Sequence, residues 1–123
     1  MMLVKSTENA GPPPKPMMDA IAKIAGEALQ AGKMVTSGGL APTAQSSIVR
    51  VSKGQVSVVD GPFAEAKEVV GGFAIFDLKS KEEALESAQR FMELHRLHWP
   101  GWQGETEVRQ IFSPEDFAPC KEK

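Results

Sequence analysis

Three carboxylates and a lysine fall within nine residues, in Asp60-Gly61-Pro62-Phe63-Ala64-Glu65-Ala66-Lys67-Glu68. Such a loop, if a rigid scaffold holds it, is a natural place for binding or catalytic groups. Asp60 has two readings. It is a turn aspartate whose carboxylate accepts backbone N–H groups of the residues after it, or a general base or anchor for a cationic or hydroxyl group. Glu65, Lys67 and Glu68 are either a solvated set of local ion pairs or the polar wall of a pocket floored by Phe63. Arg50 and Arg109 each sit mid-strand, where a covered guanidinium wants a carboxylate. Asp60, Glu65, Glu68 and Glu107 are the candidates. A structural ion pair is one reading of these arginines, and an anion site for a carboxylate or phosphate ligand is the other.

His95 and His98 are the only histidines. Their spacing suits two metal ligands, but no third ligand stands nearby in sequence, so a packed or exposed pair at a helix end is the better reading. Protonated, they would favour the negative end of the helix dipole. Trp99 and Trp102 are expected to cap the core or a dimer edge. The lone Cys120 excludes an internal disulfide and a cysteine metal cluster, and it fits a reducing cytoplasm. No metal or other cofactor is expected. No phosphate loop, Gly-x-Ser-x-Gly elbow or His-Glu-x-x-His motif occurs.

These groups must be positioned by a chain of 123 residues, the length of a single domain spanning 1–123. A hydrophobic share of 41% against 24% charged residues is globular composition. The formal charge of −2 gives no basic footprint for nucleic acid. No apolar run approaches the roughly 20 residues of a membrane span, and Met1–Lys5 does not resemble a secretory signal.

Residues 2–7 read as a strand, and the proline-rich stretch to Pro16 as a loop. A helix is expected from about Met17 to Ala31, with Met18, Ile21, Ala25, Ala28 and Leu29 buried and Gly32 as its left-handed stop. A second strand, 33–36, should break at Ser37-Gly38-Gly39, before an irregular connection through Pro42. Residues 47–52 and 55–59 form a hairpin closed by Lys53-Gly54. Val69–Leu78 is apolar on both faces: Phe73 and Ile75 point one way, Ala74, Phe76 and Leu78 the other. Ser80 and Glu83 form a capping box for a second helix to about Trp99, burying Ala84, Ala88, Phe91 and Met92, with Glu86 and Arg90 paired one turn apart. Residues 105–112 read as the last strand. The order predicts an α+β ferredoxin-like sandwich, an antiparallel sheet with two helices on one face plus an extra β-hairpin. Two helices cover one face only, so the doubly apolar strand implies a homodimer.

The stretch Asp60–Glu68 resembles the signature of the YCII-related family in its DGPF branch, with Ala66 where threonine is usual. Val69-Val70-Gly71-Gly72-Phe73 matches its continuation. The likeness extends to Gly39-Leu40-Ala41-Pro42, Val49-Arg50-Val51, Ser80-Lys81-Glu82-Glu83-Ala84, Glu107-Val108-Arg109-Gln110 and Glu115-Asp116-Phe117. The resemblance implies a dimeric α+β barrel. It also implies an enzyme using a histidine–aspartate pair with the aspartate in this loop, although no histidine lies near the first strand or beside Asp60 here. DGPF members also suggest a regulatory role beside an extracytoplasmic-function sigma factor. The expectation is a small-molecule-binding cytoplasmic dimer, with Asp60 as base if it is an enzyme. Arg50, Phe63, Glu65, Lys67, Glu68 and Arg109 would line the pocket near the dimer interface. The alternative is a non-enzymatic interaction protein.

Overall fold

The computed structural model describes residues 1–7, 11–62 and 68–112. The strands and helices are β1 (Met2–Ser6), α1 (Lys15–Gln30), β2 (Met34–Gly39), β3 (Ser47–Ser52), β4 (Gln55–Asp60), β5 (Val69–Phe76), α2 (Lys81–His98) and β6 (Gly104–Val108). A short 3-10 turn, Thr43–Gln45, precedes β3. Four strands form one antiparallel sheet in the order β2-β5-β1-β6, while β3 and β4 form a separate two-stranded sheet. With the hairpin set aside, that is the strand order of a ferredoxin-like α+β fold, as the element order predicts.

Register decides which side chains the helices meet. Met2 pairs with Ala74 and Val108, and Val4 with Gly72 and Thr106. Paired residues share a face, and Met2, Val4, Gly72 and Ala74 face the helices. Leu3 pairs with Phe73 and Glu107, and Thr36 with Ile75, so these rows occupy the opposite face. Phe73 and Ile75 therefore point away from Ala74 and Phe76, as their alternation requires.

Three expectations need correction. The α1 stripe is Met17, Ile21, Ile24 and Ala28: Met17 is fully buried, while Met18 and Leu29 stay more than half exposed. The true stripe runs at steps of four, three and four, one residue away from the predicted start. Next, β2 does not break at its glycines but pairs with β5 through Gly39. A Cβ on Gly38 would stand 3.1 Å from the Phe73 ring, so the missing side chain lets that ring lie across the strand. Last, β6 ends at Val108 rather than 112.

The ends of the elements follow local chemistry. Pro16 lies in the first turn of α1 and Gly32 has φ of +72° just beyond its end. The Ser80 hydroxyl accepts from Glu83 N at 3.1 Å, the first half of the expected capping box, while the Glu83 carboxylate reaches back one residue further than the cap and accepts from Lys79 N at 2.9 Å. Lys53 and Gly54 both take positive φ, 54° and 78°, as a tight hairpin turn of that twist needs.

Candidate functional site

Small residues on facing surfaces leave a hollow. Gly72 and Ala74 of the sheet look toward Ala25 and Ala28 of α1, and none can fill the space between layers about 10 Å apart. The result is a cavity of about 750 Å³ between the sheet and both helices. Larger apolar groups close it: Met2 and Val4 from β1, Phe76 from β5, and Ile21 and Ile24 from α1. Its far end is aromatic, built from Phe91 and His95 of α2 with Trp99 and Trp102 beyond the helix.

Polar groups in the wall are few, and most are engaged. Arg90 Nη2 lies 3.7 Å from Glu27 Oε1, joining α2 to α1, and Lys33 Nζ lies 3.2 Å from Glu83 Oε2. The expected Glu86–Arg90 pair is replaced by this contact between helices. Lys33 and the Lys79 amide hold the Glu83 carboxyl below its usual range, the backbone bond contributing most.

His95 is the polar residue that reading the sequence placed but did not assign. It is only 4% exposed. Its Nδ1 lies 2.9 Å from the Phe91 carbonyl oxygen, which can only accept, so Nδ1 carries the proton. Phe91 meets the imidazole edge-on at 4.6 Å, Trp102 leans on it at 4.3 Å, and Trp99 stacks at 6.1 Å between centroids. Burial pushes its pKa down, opposed more weakly by the Phe91 carbonyl. Desolvation thus favours the neutral ring over the cation. The signal was there in spacing: Ala88, Phe91, His95, Trp99 and Trp102 recur at steps of three and four. Among the described residues, no three His, Cys, Asp or Glu side chains converge in metal-binding geometry.

The residues expected from sequence lie elsewhere. Asp60 ends β4 opposite Ser47, whose hydroxyl donates to Asp60 Oδ1 at 2.6 Å. It takes a hydroxyl across the hairpin, while the following amide, Gly61 N, donates to the Ser46 carbonyl at 2.8 Å. Arg50 is exposed in β3, opposite Ser57. Glu68 is exposed just before β5. Arg109 Nε donates to Glu107 Oε2 at 2.6 Å, and Lys5 Nζ reaches the other oxygen, Oε1, at 2.6 Å. The Lys5 bond first, then Arg109, lowers the Glu107 pKa. Of these, Asp60 and Arg50 share the hairpin, while Arg109 stands just beyond β6; none lines the cavity. Phe63, Glu65, Lys67 and Cys120 lie outside the described residues.

A protein-family model described as the YCII-related domain matches residues 1–94, more than half of the chain. The chain belongs to the YCII-related family. That match spans β1 through most of α2, and so includes most of the cavity wall. The chain is also similar to an uncharacterized protein of Rhizobium meliloti (strain 1021), 43% identical over 61 residues, half of this chain and 49% of that protein's length. The chain thus matches about half the length of this relative. No helix among the described residues is long and apolar enough to cross a membrane.

Proposed function

We propose that this YCII-related protein binds a small, mainly apolar molecule in the cavity between sheet and helices. The volume carries the reading: about 750 Å³ lies within the range of small-molecule sites, and apolar groups dominate the wall. Arg90 and Lys33, the cations in the wall among the described residues, are each engaged by a glutamate, so an anionic ligand would have to displace one of those contacts. A neutral body suits the wall better.

The nine-residue motif at Asp60–Glu68 supports membership in the DGPF branch. The hairpin that precedes it supports a homodimer. Val49 pairs with Val58 and Val51 with Val56, so four valines share one face, each 64–73% exposed. A lone two-stranded sheet is marginal in water without a covered face, and a second copy is the cover we assign. The reading in which Asp60 acts as a general base would then draw its remaining groups from that partner.

Ala74→Phe tests the cavity, because the new ring projects into it from the floor. Fluorescence titration with the neutral dye N-phenyl-naphthylamine should show saturable binding to the wild-type protein, weakened at least tenfold in the variant. Equal binding by both proteins would overturn this placement of the site.

A further inference from the structure

We propose that His95 is the recognition group of the cavity, and that its Nε2 accepts a hydrogen bond from a hydroxyl carried on an otherwise apolar, ring-sized ligand. This deepens the cavity reading above and rests on it.

The two ring nitrogens differ. Nδ1 is committed to the Phe91 carbonyl as a donor, so Nε2 presents a lone pair. No described residue hydrogen-bonds to Nε2. Yet no sealed side-chain nitrogen or oxygen among the described residues lacks a partner. Nε2 is therefore unpartnered but not sealed: the small surface His95 keeps must serve it. That surface opens on hollows, since His95 stands in the wall of the large cavity and of a shallower one beside Arg96 and Glu105. The large one has the apolar walls a ligand body needs.

The neighbours fix the chemistry further. Phe91, Trp99 and Trp102 surround the imidazole with ring faces and edges, which leaves one acceptor in an apolar frame. Such a frame strengthens a hydrogen bond once it forms and penalises a ligand that leaves the acceptor bare. An ammonium would have to lose its hydration in apolar surroundings, and a carboxylate would set two acceptors against one. A neutral hydroxyl meets the lone pair at least cost. A site that hydrogen-bonds a hydroxyl discriminates strongly against the analogue lacking it.

The probes are benzyl alcohol and ethylbenzene, similar in size and differing in the hydroxyl. Trp99 and Trp102 are the only tryptophans, and both contact His95, so intrinsic fluorescence reports occupancy. His95→Phe, checked for folding by its melting temperature, should weaken benzyl alcohol at least tenfold and leave ethylbenzene within twofold. His95→Gln restores an acceptor oxygen and should recover part of the loss. His95→Leu, measured the same way, gives the same answer if the Phe variant does not fold. Wild-type binding of ethylbenzene with no selective loss of the alcohol in the variants would overturn the role of His95 and leave the cavity standing. Failure of the wild-type protein to bind either probe would overturn both.

Discussion

If the proposed dimer forms through the valine face of the hairpin, Val51→Lys should dissociate it while leaving each chain folded. Val49, Val51, Val56 and Val58 are 66%, 73%, 69% and 64% exposed within one chain, so about two-thirds of each remains to be covered. Full burial of a valine is worth about 1.5–3 kcal/mol, so covering the rest contributes about 1–2 kcal/mol per residue. A two-fold dimer contains the substitution twice. Losing Val51 from both copies therefore costs about 2–4 kcal/mol, before the cost of burying an ammonium. That weakens association about thirty-fold or more, since about 1.4 kcal/mol is a factor of ten. Adding Val56→Lys, its cross-strand partner, roughly doubles the loss and places two like charges opposite each other. The assay is light scattering after size exclusion over a concentration series, with far-UV circular dichroism as the folding control. The hairpin is a sheet of its own, so the four-stranded sheet and helices should keep their signal. A wild-type monomer at high micromolar concentration would overturn the proposed dimer, and a double variant that remains dimeric would overturn the valine face as its interface.

Gly61→Ala should lower stability by about 2–3 kcal/mol, because the new Cβ would overlap the Thr43 carbonyl oxygen and backbone must move to admit it; an unchanged urea midpoint would contradict this. Ser80→Ala should cost about 1 kcal/mol by removing the cap of α2, and Ser80→Asp should cost much less, both read from the same urea curves. His95 should make stability fall with acidity. Its folded pKa lies below the usual 6.5, so below that pH the unfolded chain takes the proton first, and stability present above about 6.5 is lost as pH falls. Glu83, Glu93 and Glu107 have lowered pKa values and act in a separate window, below about 4.5. Urea midpoints at pH 7.5 and 5.5, on the order of one unit either side of the ordinary histidine value, should differ less in His95→Phe than in the wild-type protein. Equal differences would contradict the burial of a neutral ring.

Much of this was legible in the sequence because it depends on neighbours along the chain. The capping box is a three-residue spacing, the hairpin a Lys-Gly pair with the right turn preference, and the two faces of β5 a plain alternation. The fold class followed from element order. Glu107 is one of the four carboxylates that the sequence offers Arg109, and the structure selects it. The Asp60–Glu68 motif pointed to the family, although its charges lie outside the cavity wall wherever they are described.

The cavity was not legible, and the reason is physical. Alanine and glycine on one element imply nothing by themselves. Only when Gly72 and Ala74 face Ala25 and Ala28 across the layers does their small volume become empty space. The surroundings of His95 were hidden for a related reason. Its position on the buried stripe could be read, but Trp102 lies past the helix end, and only the turn at Gly101 brings it back onto the imidazole. The downward shift of its pKa followed from that packing, because burial against three aromatic rings disfavours the charged form. The sequence determined the strands, helices, caps and family. The tertiary structure alone decided where the chain is hollow and which polar side chain stands in the wall of that hollow, because both depend on what lies opposite rather than on what lies next.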